Sequence, residues 1–238
     1  HRGLDHLGAA VGPLLAALVL LAVPGNTRLV FALATIPAVI GWLTVQFGCA
    51  ETGTRPRVKP PEQGVAITPA QRPATRPLPS ALWPPLAAFF LFSLGNASDA
   101  FLLLRAADLG ISGLGIALLW SGFHICKWLA SAPSGRLADR IGPRRQILVG
   151  WALYAAVYLG FGVASGPWTL VALFAAYAGF YGLTEGAERA LVVRLAGATG
   201  AGTSLGAFHF APGLGSLVAS RLFGVLWETC SPLVAFAV

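Results

Sequence analysis

The feature that most constrains this chain is a series of seven apolar segments, each close to the length that crosses a bilayer. A helix needs about 20 mainly apolar residues to span the hydrocarbon layer. The seven segments are 7–23, 29–48, 81–104, 113–133, 147–165, 168–190 and 203–227. An eighth begins near residue 233 and stops after a few residues. The pattern predicts an all-α, polytopic membrane protein with seven spans and a truncated eighth.

The composition agrees with a membrane protein rather than a soluble one. Charged residues make up 11% of the chain and the mean hydropathy is +0.72, whereas soluble domains carry about 25% charged residues. The formal net charge of +7 raises the alternative of nucleic-acid binding, which needs a basic patch on a folded soluble surface. Here the arginines lie in short connectors between apolar runs. We therefore expect a lipid bilayer, and no nucleic acid, as a partner.

The connectors between the apolar segments alternate in positive charge. Twelve of the sixteen Lys and Arg residues lie in the N-terminal stub and in the connectors 49–80, 134–146 and 189–202. The other set of connectors contains only Arg28 and Arg105. Because positive residues stay on the cytoplasmic side of a membrane, the first set is predicted to be cytoplasmic.

The connector 49–80 differs from the others in length and composition. It has no apolar periodicity and is rich in Pro and Arg, which is typical of an extended linker. The sequence therefore predicts three parts. Residues 1–50 hold two helices of one bundle, residues 51–80 are a cytoplasmic central linker, and residues 81–238 are a second bundle with a truncated last helix.

The polar stretch "GRLADRIGPRR", residues 135–145, lies between two of the apolar segments. It resembles the G-x-L-a-D-r-x-G-r-[KR] loop signature of the major facilitator superfamily, which comprises secondary transporters of twelve helices in two six-helix bundles. In that family the signature joins helices two and three, and a weaker copy joins eight and nine. The resemblance implies that the seven segments are helices five to eleven, so that residues 1–50 are the last two helices of the N-terminal bundle. Because the chain has no Met and ends in a short apolar run, it is expected to be a fragment cut at both ends.

Three other stretches resemble helices of the same family. They are "DHLGAAVGPLL" (fifth helix), "LGNASDAFLLLRA" (seventh) and "LTEGAERALV" (tenth). The first resembles the signature of proton-coupled exporters, although alanine replaces their usual glycine pair. Gly8 and Gly12 are spaced to let helices pack closely. Alternatively, Gly8, Gly12 and Pro13 form a bend that seals the transport cavity during alternating access.

The loop signature also implies a gating contact. Asp139 cannot be buried alone, so it is expected to accept hydrogen bonds from arginine or from a helix start. By the resemblance its partner is the start of a helix in the other bundle, residues 2–8, with Arg2 as a candidate. The alternative is that the arginines only set the topology. The other gating candidates in this loop are Gly135, Arg140, Gly142, Arg144 and Arg145. Pro143 stands where the signature has a basic residue.

Ionisable side chains inside apolar segments are functional candidates, because each costs about 2.5–3.5 kcal/mol on insertion scales. Lys127 and Glu185 lie at similar depths from the cytoplasmic ends of their segments, so we predict that they pair. His124, three residues before Lys127, is placed to join them. Asp99 and Arg221 lie at similar depths from the outer ends, and they form a second predicted pair.

The roles of these residues stay open between structure and coupling. Glu185 and Asp99 are either members of structural ion pairs or sites of proton or substrate coupling. Asn96 is a further substrate candidate nearer the outer side. Glu188 and Arg189 are expected to be solvated near the cytoplasmic exit, and His209 is expected to be an interior histidine.

The resemblance implies a secondary active transporter that moves a small-molecule solute by alternating access of two bundles around a midplane site. The fifth-helix motif favours proton-coupled export of small amphipathic compounds. Uptake of a sugar, an organic acid or another metabolite is the alternative. We expect no cofactor other than a proton gradient, a monomer when the protein is full length, and a location in the bacterial cytoplasmic (inner) membrane.

Other functional classes are not favoured by the sequence. A membrane enzyme needs paired acids or metal ligands at one membrane face, whereas His124 and His209 are isolated. The three cysteines lack metal or disulfide spacing, so no metal site is predicted. No G-x-x-x-x-G-K-[ST] loop of an ATP-driven pump occurs. A non-transporting membrane scaffold or sensor is a remote alternative.

Overall fold

The computed structural model describes residues 2–48, 77–197 and 201–238, without the side chains of 2–4, 6, 7 and 201. The described residues form helices joined by short turns, and none of them lies in a strand. The helices are α1 (Arg2–Ala22), α2 (Thr27–Leu43), α3 (Trp83–Leu94), α4 (Ala100–Asp108), α5 (Gly113–Ser131), α6 (Ser134–Ile141), α7 (Pro143–Val163), α8 (Pro167–Ala196), α9 (Ala201–Thr229) and α10 (Pro232–Ala237). A π-helical turn, Thr44–Gly48, extends α2, and a 3-10 turn, Ser80–Leu82, precedes α3.

The helices have the length and the surface of membrane spans. Five described helices are long and apolar enough to cross a membrane, and two shorter apolar helices, Gly8–Ala22 and Ser80–Leu94, accompany them. Large apolar side chains are widely exposed, for example Phe31 at 75%, Trp168 at 83% and Phe210 at 71%. Such surfaces are rare on soluble monomers. The predicted all-α, polytopic membrane fold is therefore confirmed.

The chain divides into two compact units. One contains residues 1–18 and 77–238, and the other contains residues 19–76. The larger unit has an aromatic-rich core in which Phe161 and Tyr177 are fully buried. In the other unit, no residue of α2 is buried. The three-part division at residues 50 and 80 stays a prediction, because most of the linker lies outside the described residues.

The third predicted segment, 81–104, is not one continuous helix, which corrects the prediction. Helix α3 ends at Leu94 and α4 begins at Ala100, with Gly95–Asp99 between them in a non-helical conformation. The sequence there is "GNASD". Glycine has a low helix propensity, and Asn, Ser and Asp bond to nearby backbone groups in turns. Because apolar residues flank this interruption on both sides, the sequence predicts one continuous span.

The sixth predicted segment ends too early, and the expected connector 189–202 is therefore wrong over most of its length. Helix α8 continues to Ala196 because "RALVVRLA" contains mostly good helix formers. Gly197 follows with a φ of +67°, a backbone conformation that favours glycine and does not continue the helix. Residues 198–200 lie outside the described part of the chain.

The predicted loop 134–146 contains the short helix α6. Gly142 then adopts a φ of +83°, and Pro143 is the first residue of α7. Proline is favoured at that position because the missing N–H has no helical partner there. Pro143 is also buried, which explains a residue that the loop signature does not. Gln146 ties the two helices together, since its Nε2 donates to the Ser134 hydroxyl at 2.9 Å.

Arg105 links the end of α4 to the end of α7. Its Nε donates to the carbonyl of Phe161 at 3.3 Å, and one terminal nitrogen donates to the carbonyls of Gly162 at 3.4 Å and Ala164 at 2.8 Å. The last carbonyls of a helix have no partner within the helix. A guanidinium at that end satisfies several of them and interacts favourably with the helix dipole.

We predict that Arg105→Ala destabilises the protein by about 2 kcal/mol, because it leaves part-buried carbonyls without charged donors. Arg105→Lys should recover part of this loss, since an ammonium keeps the charge but not the planar arrangement of donors. Thermal unfolding in detergent micelles measures both variants. Equal stability of the alanine variant and the wild type would show that these bonds contribute nothing.

Candidate functional site

The break between α3 and α4 exposes backbone groups that need partners inside the protein. The hydroxyl of Tyr154 donates to the carbonyl of Gly95 at 2.8 Å, and that of Tyr158 donates to the carbonyl of Ala97 at 3.5 Å. Both tyrosines come from α7. Non-helical backbone at membrane depth requires such internal partners. The side-chain oxygen of Asn96 also lies 3.4 Å from the Tyr154 hydroxyl.

Asp99 ends this break and is bonded to the other two tyrosines of the chain. Its Oδ1 accepts from the Tyr177 hydroxyl at 2.7 Å, and its Oδ2 accepts from the Tyr181 hydroxyl at 3.1 Å. The two hydroxyls lie 3.3 Å apart. Both tyrosines come from α8 and are four residues apart, so they project from one helix face.

The predicted pair between Asp99 and Arg221 is not found, which corrects that expectation. Arg221 is exposed in the described structure. Helix α9 turns Ala219 and Phe223 into the core, and Arg221, halfway between them, lies away from that face. Asp99 and Arg221 were paired because they lie at similar distances from the outer ends of their segments. That distance does not determine the direction in which a side chain points around its helix.

The predicted pair between Lys127 and Glu185 does form. Lys127 Nζ lies 3.7 Å from Glu185 Oε1, and the two side chains are 11% and 29% exposed. The same Nζ lies 3.6 Å from the centre of the Tyr181 ring. A cation over the face of an aromatic ring is attracted to it, most strongly where water is excluded. Tyr181 thus contacts Lys127 through its ring and Asp99 through its hydroxyl.

These contacts form one continuous polar network, which we call the polar chain and define as Asp99, Tyr177, Tyr181, Lys127 and Glu185. It joins the start of α4 to α5 and α8. Eight residues separate the first and last members on α8, and at 1.5 Å rise per residue this is about 12 Å along the helix. The polar chain thus extends from the helix break towards the end of the bundle where α6 lies.

Close helix packing brings α5 and α8 together at the polar chain. A Cβ atom placed on Gly182 would lie 2.7 Å from both the Cβ and the carbonyl oxygen of Ala130. Only glycine therefore permits this approach of the two backbones. Since Gly182 adjoins Tyr181 and Ala130 is three residues from Lys127, the contact sets the spacing of the ion pair.

His124 lies beside the polar chain among aromatic rings. Its ring contacts Trp120 edge-on at 4.9 Å between centroids, and Phe123 at 5.2 Å. Phe123 in turn stacks on Tyr177 at 5.5 Å. The site is therefore a small set of polar groups within an aromatic wall.

Sequence reasoning missed the tyrosines and one carboxylate. All four tyrosines of the chain fall in two pairs spaced by four residues, and this periodicity was the available signal. Glu188 was expected to be solvated, but it is only partly exposed and its Oε1 accepts from Trp151 Nε1 at 3.3 Å. His209 was expected to lie inside, but it is exposed, because its neighbour Phe208 takes the buried position on α9.

The gating candidates lie on α1 and in the loop that contains α6. Asp139 and the gating arginines Arg140, Arg144 and Arg145 are exposed. The Arg2 side chain lies outside the described residues, so its contact with Asp139 stays a prediction. In α1, a Cβ atom on Gly8 or Gly12 would meet no described atom within 4 Å. Ala10 lies between them, and its carbonyl accepts from the buried Ser121 hydroxyl of α5 at 2.7 Å.

Comparison with known proteins places this geometry in a family. A sequence model of the Major Facilitator Superfamily matches residues 2–220. An uncharacterised MFS-type transporter of Methanocaldococcus jannaschii is 32% identical over 99% of this chain and 58% of its own length. Another, from Mycobacterium tuberculosis, is 27% identical over 63% of this chain and 26% of its own length. No solved structure matches.

The chain therefore spans little more than half of the first relative and about a quarter of the second. The family match nevertheless covers α1 to most of α9, including the loop signature and the polar chain. With its apolar helices, this match identifies an integral, multi-pass membrane protein. The chain belongs to the Major Facilitator Superfamily.

Proposed function

We propose that the full-length protein is a secondary active transporter that moves a small-molecule solute by alternating access. The family and the MFS-type transporters among its relatives support this class. The observation that supports coupling is the polar chain itself. Ionisable groups inside membrane helices mark ion and proton pathways by default, and discontinuous helices hold such sites in transporters.

In this proposal the polar chain binds and releases a proton. With Asp99 and Glu185 ionised and Lys127 protonated, it has one formal negative charge, which a bound proton neutralises. Burying an uncompensated charge is costly, so proton binding favours the state of the protein in which the chain is more enclosed. Tyr181 contacts Asp99 through its hydroxyl and Lys127 through its ring, and Lys127 pairs with Glu185, so a change of charge at Asp99 affects Glu185 through these two residues.

Export of small amphipathic compounds is the direction that we propose. Trp120, Phe123 and Phe180 pack in the aromatic core around the polar chain, and apolar surroundings with few polar groups suit such solutes. The fifth-helix motif at Gly8–Pro13 also favours export. Uptake of a sugar, an organic acid or another metabolite is the second candidate. It would require more cationic or amide groups than Lys127 and Asn96 provide.

The proposal includes the membrane location, the oligomeric state and the partners of the protein. The distribution of arginines favours the central linker on the cytoplasmic side, and we propose the bacterial cytoplasmic membrane as the location. We propose a monomer that uses a proton gradient, with no cofactor and no nucleic-acid partner. The family favours transport over enzymatic activity, and a scaffold or sensor would produce no solute flux in vesicles.

Neutralising either carboxylate tests the coupling. In the full-length protein, Asp99→Asn and Glu185→Gln are expected to remove most of the effect of pH on transport, which for coupled ligands is about 5- to 150-fold in apparent affinity. Ethidium efflux serves as the probe of export, and uptake of labelled sugars and organic acids as the probe of the alternative. Apparent affinities at acidic and alkaline pH give the size of the pH effect.

Matched controls exist on α4 and α9. Asp108→Asn and Glu228→Gln change exposed carboxylates and should leave the pH effect intact. An unaltered pH dependence in both Asp99→Asn and Glu185→Gln would exclude the polar chain as the coupling site. Absence of flux of every probe, with a correctly folded protein, would instead favour the scaffold or sensor.

A further inference from the structure

A small cavity opens beside the Glu185 end of the polar chain. It has a volume of about 180 Å³ and lies between the end of α5, the start of α6 and the middle of α8. Its lining includes Ser131, Ser134, Tyr181 and Glu185. A single water needs only about 10–15 Å³ of such volume. The cavity therefore has room for several water molecules.

The cavity contains several polar groups and is open at the surface of the bundle. Two serine hydroxyls and a carboxylate offer the two to four partners that a buried water requires. Ala132 and Trp128, which also border it, are exposed. Ala132 and Ser134 place one side of the cavity at the junction of α5 and α6, and α6 also carries the exposed residues Asp139 and Arg140 of the loop signature.

The two members of the ion pair differ in exposure and in their contact with this cavity. The Glu185 side chain is 29% exposed and the Lys127 side chain is 11% exposed, and only Glu185 of the two borders the cavity. Tyr181 also borders it, while its hydroxyl is bonded to Asp99. The Tyr181 side chain thus extends from the wall of the cavity to Asp99.

We propose that this cavity is an aqueous inlet through which Glu185 exchanges protons with the compartment on the α6 side. A proton released by the Glu185 carboxyl passes to cavity water as hydronium, and the reverse step reprotonates the carboxylate. Glu185 is then the solvent end of the polar chain, and Asp99 is reached from this side only through Tyr181 and Lys127. The coupling of this proton to transport rests on the proposed function, whereas the access of water to Glu185 does not.

Cysteine accessibility tests the inlet. In the full-length protein on a cysteine-free background, Glu185→Cys is compared with Leu129→Cys, which places a thiol on an exposed apolar position of α5. A charged, membrane-impermeant thiosulfonate is applied to vesicles of either orientation. Leu129 is only two residues from the end of α5, so depth alone favours reaction at position 129.

We expect Glu185→Cys to react at least about tenfold faster than Leu129→Cys from the α6 side, because such reagents attack the thiolate, which forms in water. A rate equal to or below that of Leu129→Cys, or faster reaction from the opposite side, would overturn the inlet. Adding Ala132→Phe, which fills the cavity, should slow the reaction at position 185.

A measurement on the wild-type protein covers the case in which Glu185→Cys does not fold. A hydrophilic carbodiimide with glycine ethyl ester is applied from the α6 side, and modified carboxyls are mapped by mass spectrometry. Modification of both Asp139, which is exposed on α6, and Glu185 supports the inlet. Modification of Asp139 without Glu185 overturns it. Either labelling result is independent of transport, so failure of the inlet and failure of coupling are distinguishable.

Discussion

Lys127→Met is expected to destabilise the protein by about 3 kcal/mol, near the lower end of the cost of breaking a buried ion pair. The substitution leaves the carboxylates of Glu185 and Asp99 without their shared cation. It also removes the contact between Nζ and the Tyr181 ring, which lies at 3.6 Å. Thermal unfolding in detergent micelles measures the change.

The double variant Lys127→Met with Glu185→Gln provides the control for this prediction. Because it removes both charges of the pair, it should regain most of the lost stability, as replacing a whole buried pair by neutral groups is often nearly neutral. A single variant as stable as the wild type would mean that the pair is effectively solvated. A double variant no better than the single one would place the loss in packing, not in charge.

Gly182→Ala is the second change with a large expected effect, a loss of about 2–3 kcal/mol from overpacking a fixed helix contact. The added methyl group would meet the Cβ and the carbonyl oxygen of Ala130 at 2.7 Å. Backbone atoms cannot move aside, so α5 and α8 must separate. This separation should also lengthen the contact between Lys127 and Glu185, and the pH dependence of transport should weaken with it.

Gly179→Ala is the matched control on the same helix. A Cβ at that position would lie 3.5 Å from the Leu153 side chain, an ordinary contact. Because alanine has the higher helix propensity, this variant should be as stable as the wild type or slightly more stable. Unfolding curves that coincide for the two alanine variants would contradict the close approach of α5 and α8 at Gly182.

The helical segments were predictable because lipid imposes a length and an apolar composition on each span. The break at Gly95–Asp99 was not, because it is only five residues long and its tyrosine partners come from α7 and α8. Helix ends such as Ala196 were placed poorly for a different reason. Charged residues such as Glu188 and Arg189 look like a connector, but a long helix can continue past the hydrocarbon layer.

In the candidate site, too, some contacts could be predicted from the sequence and others could not. Lys127 and Glu185 were paired correctly because few charges lie at that depth, so partners are few. Asp99 was paired wrongly because depth does not determine which helix face a residue occupies, and because phenol hydroxyls can also bond a carboxylate, as that of Tyr177 does here. Pro143 was unexplained by the loop signature, yet its role follows from its position at the start of α7.

Proton movement in liposomes tests the central claim most directly. The full-length protein is reconstituted, a gradient of the transported solute is imposed, and a pH-sensitive dye inside the vesicles is recorded. We predict that solute moving in one direction drives protons in the opposite direction, and that Asp99→Asn with Glu185→Gln abolishes this proton movement. Solute flux without any proton movement in the wild type would contradict the account.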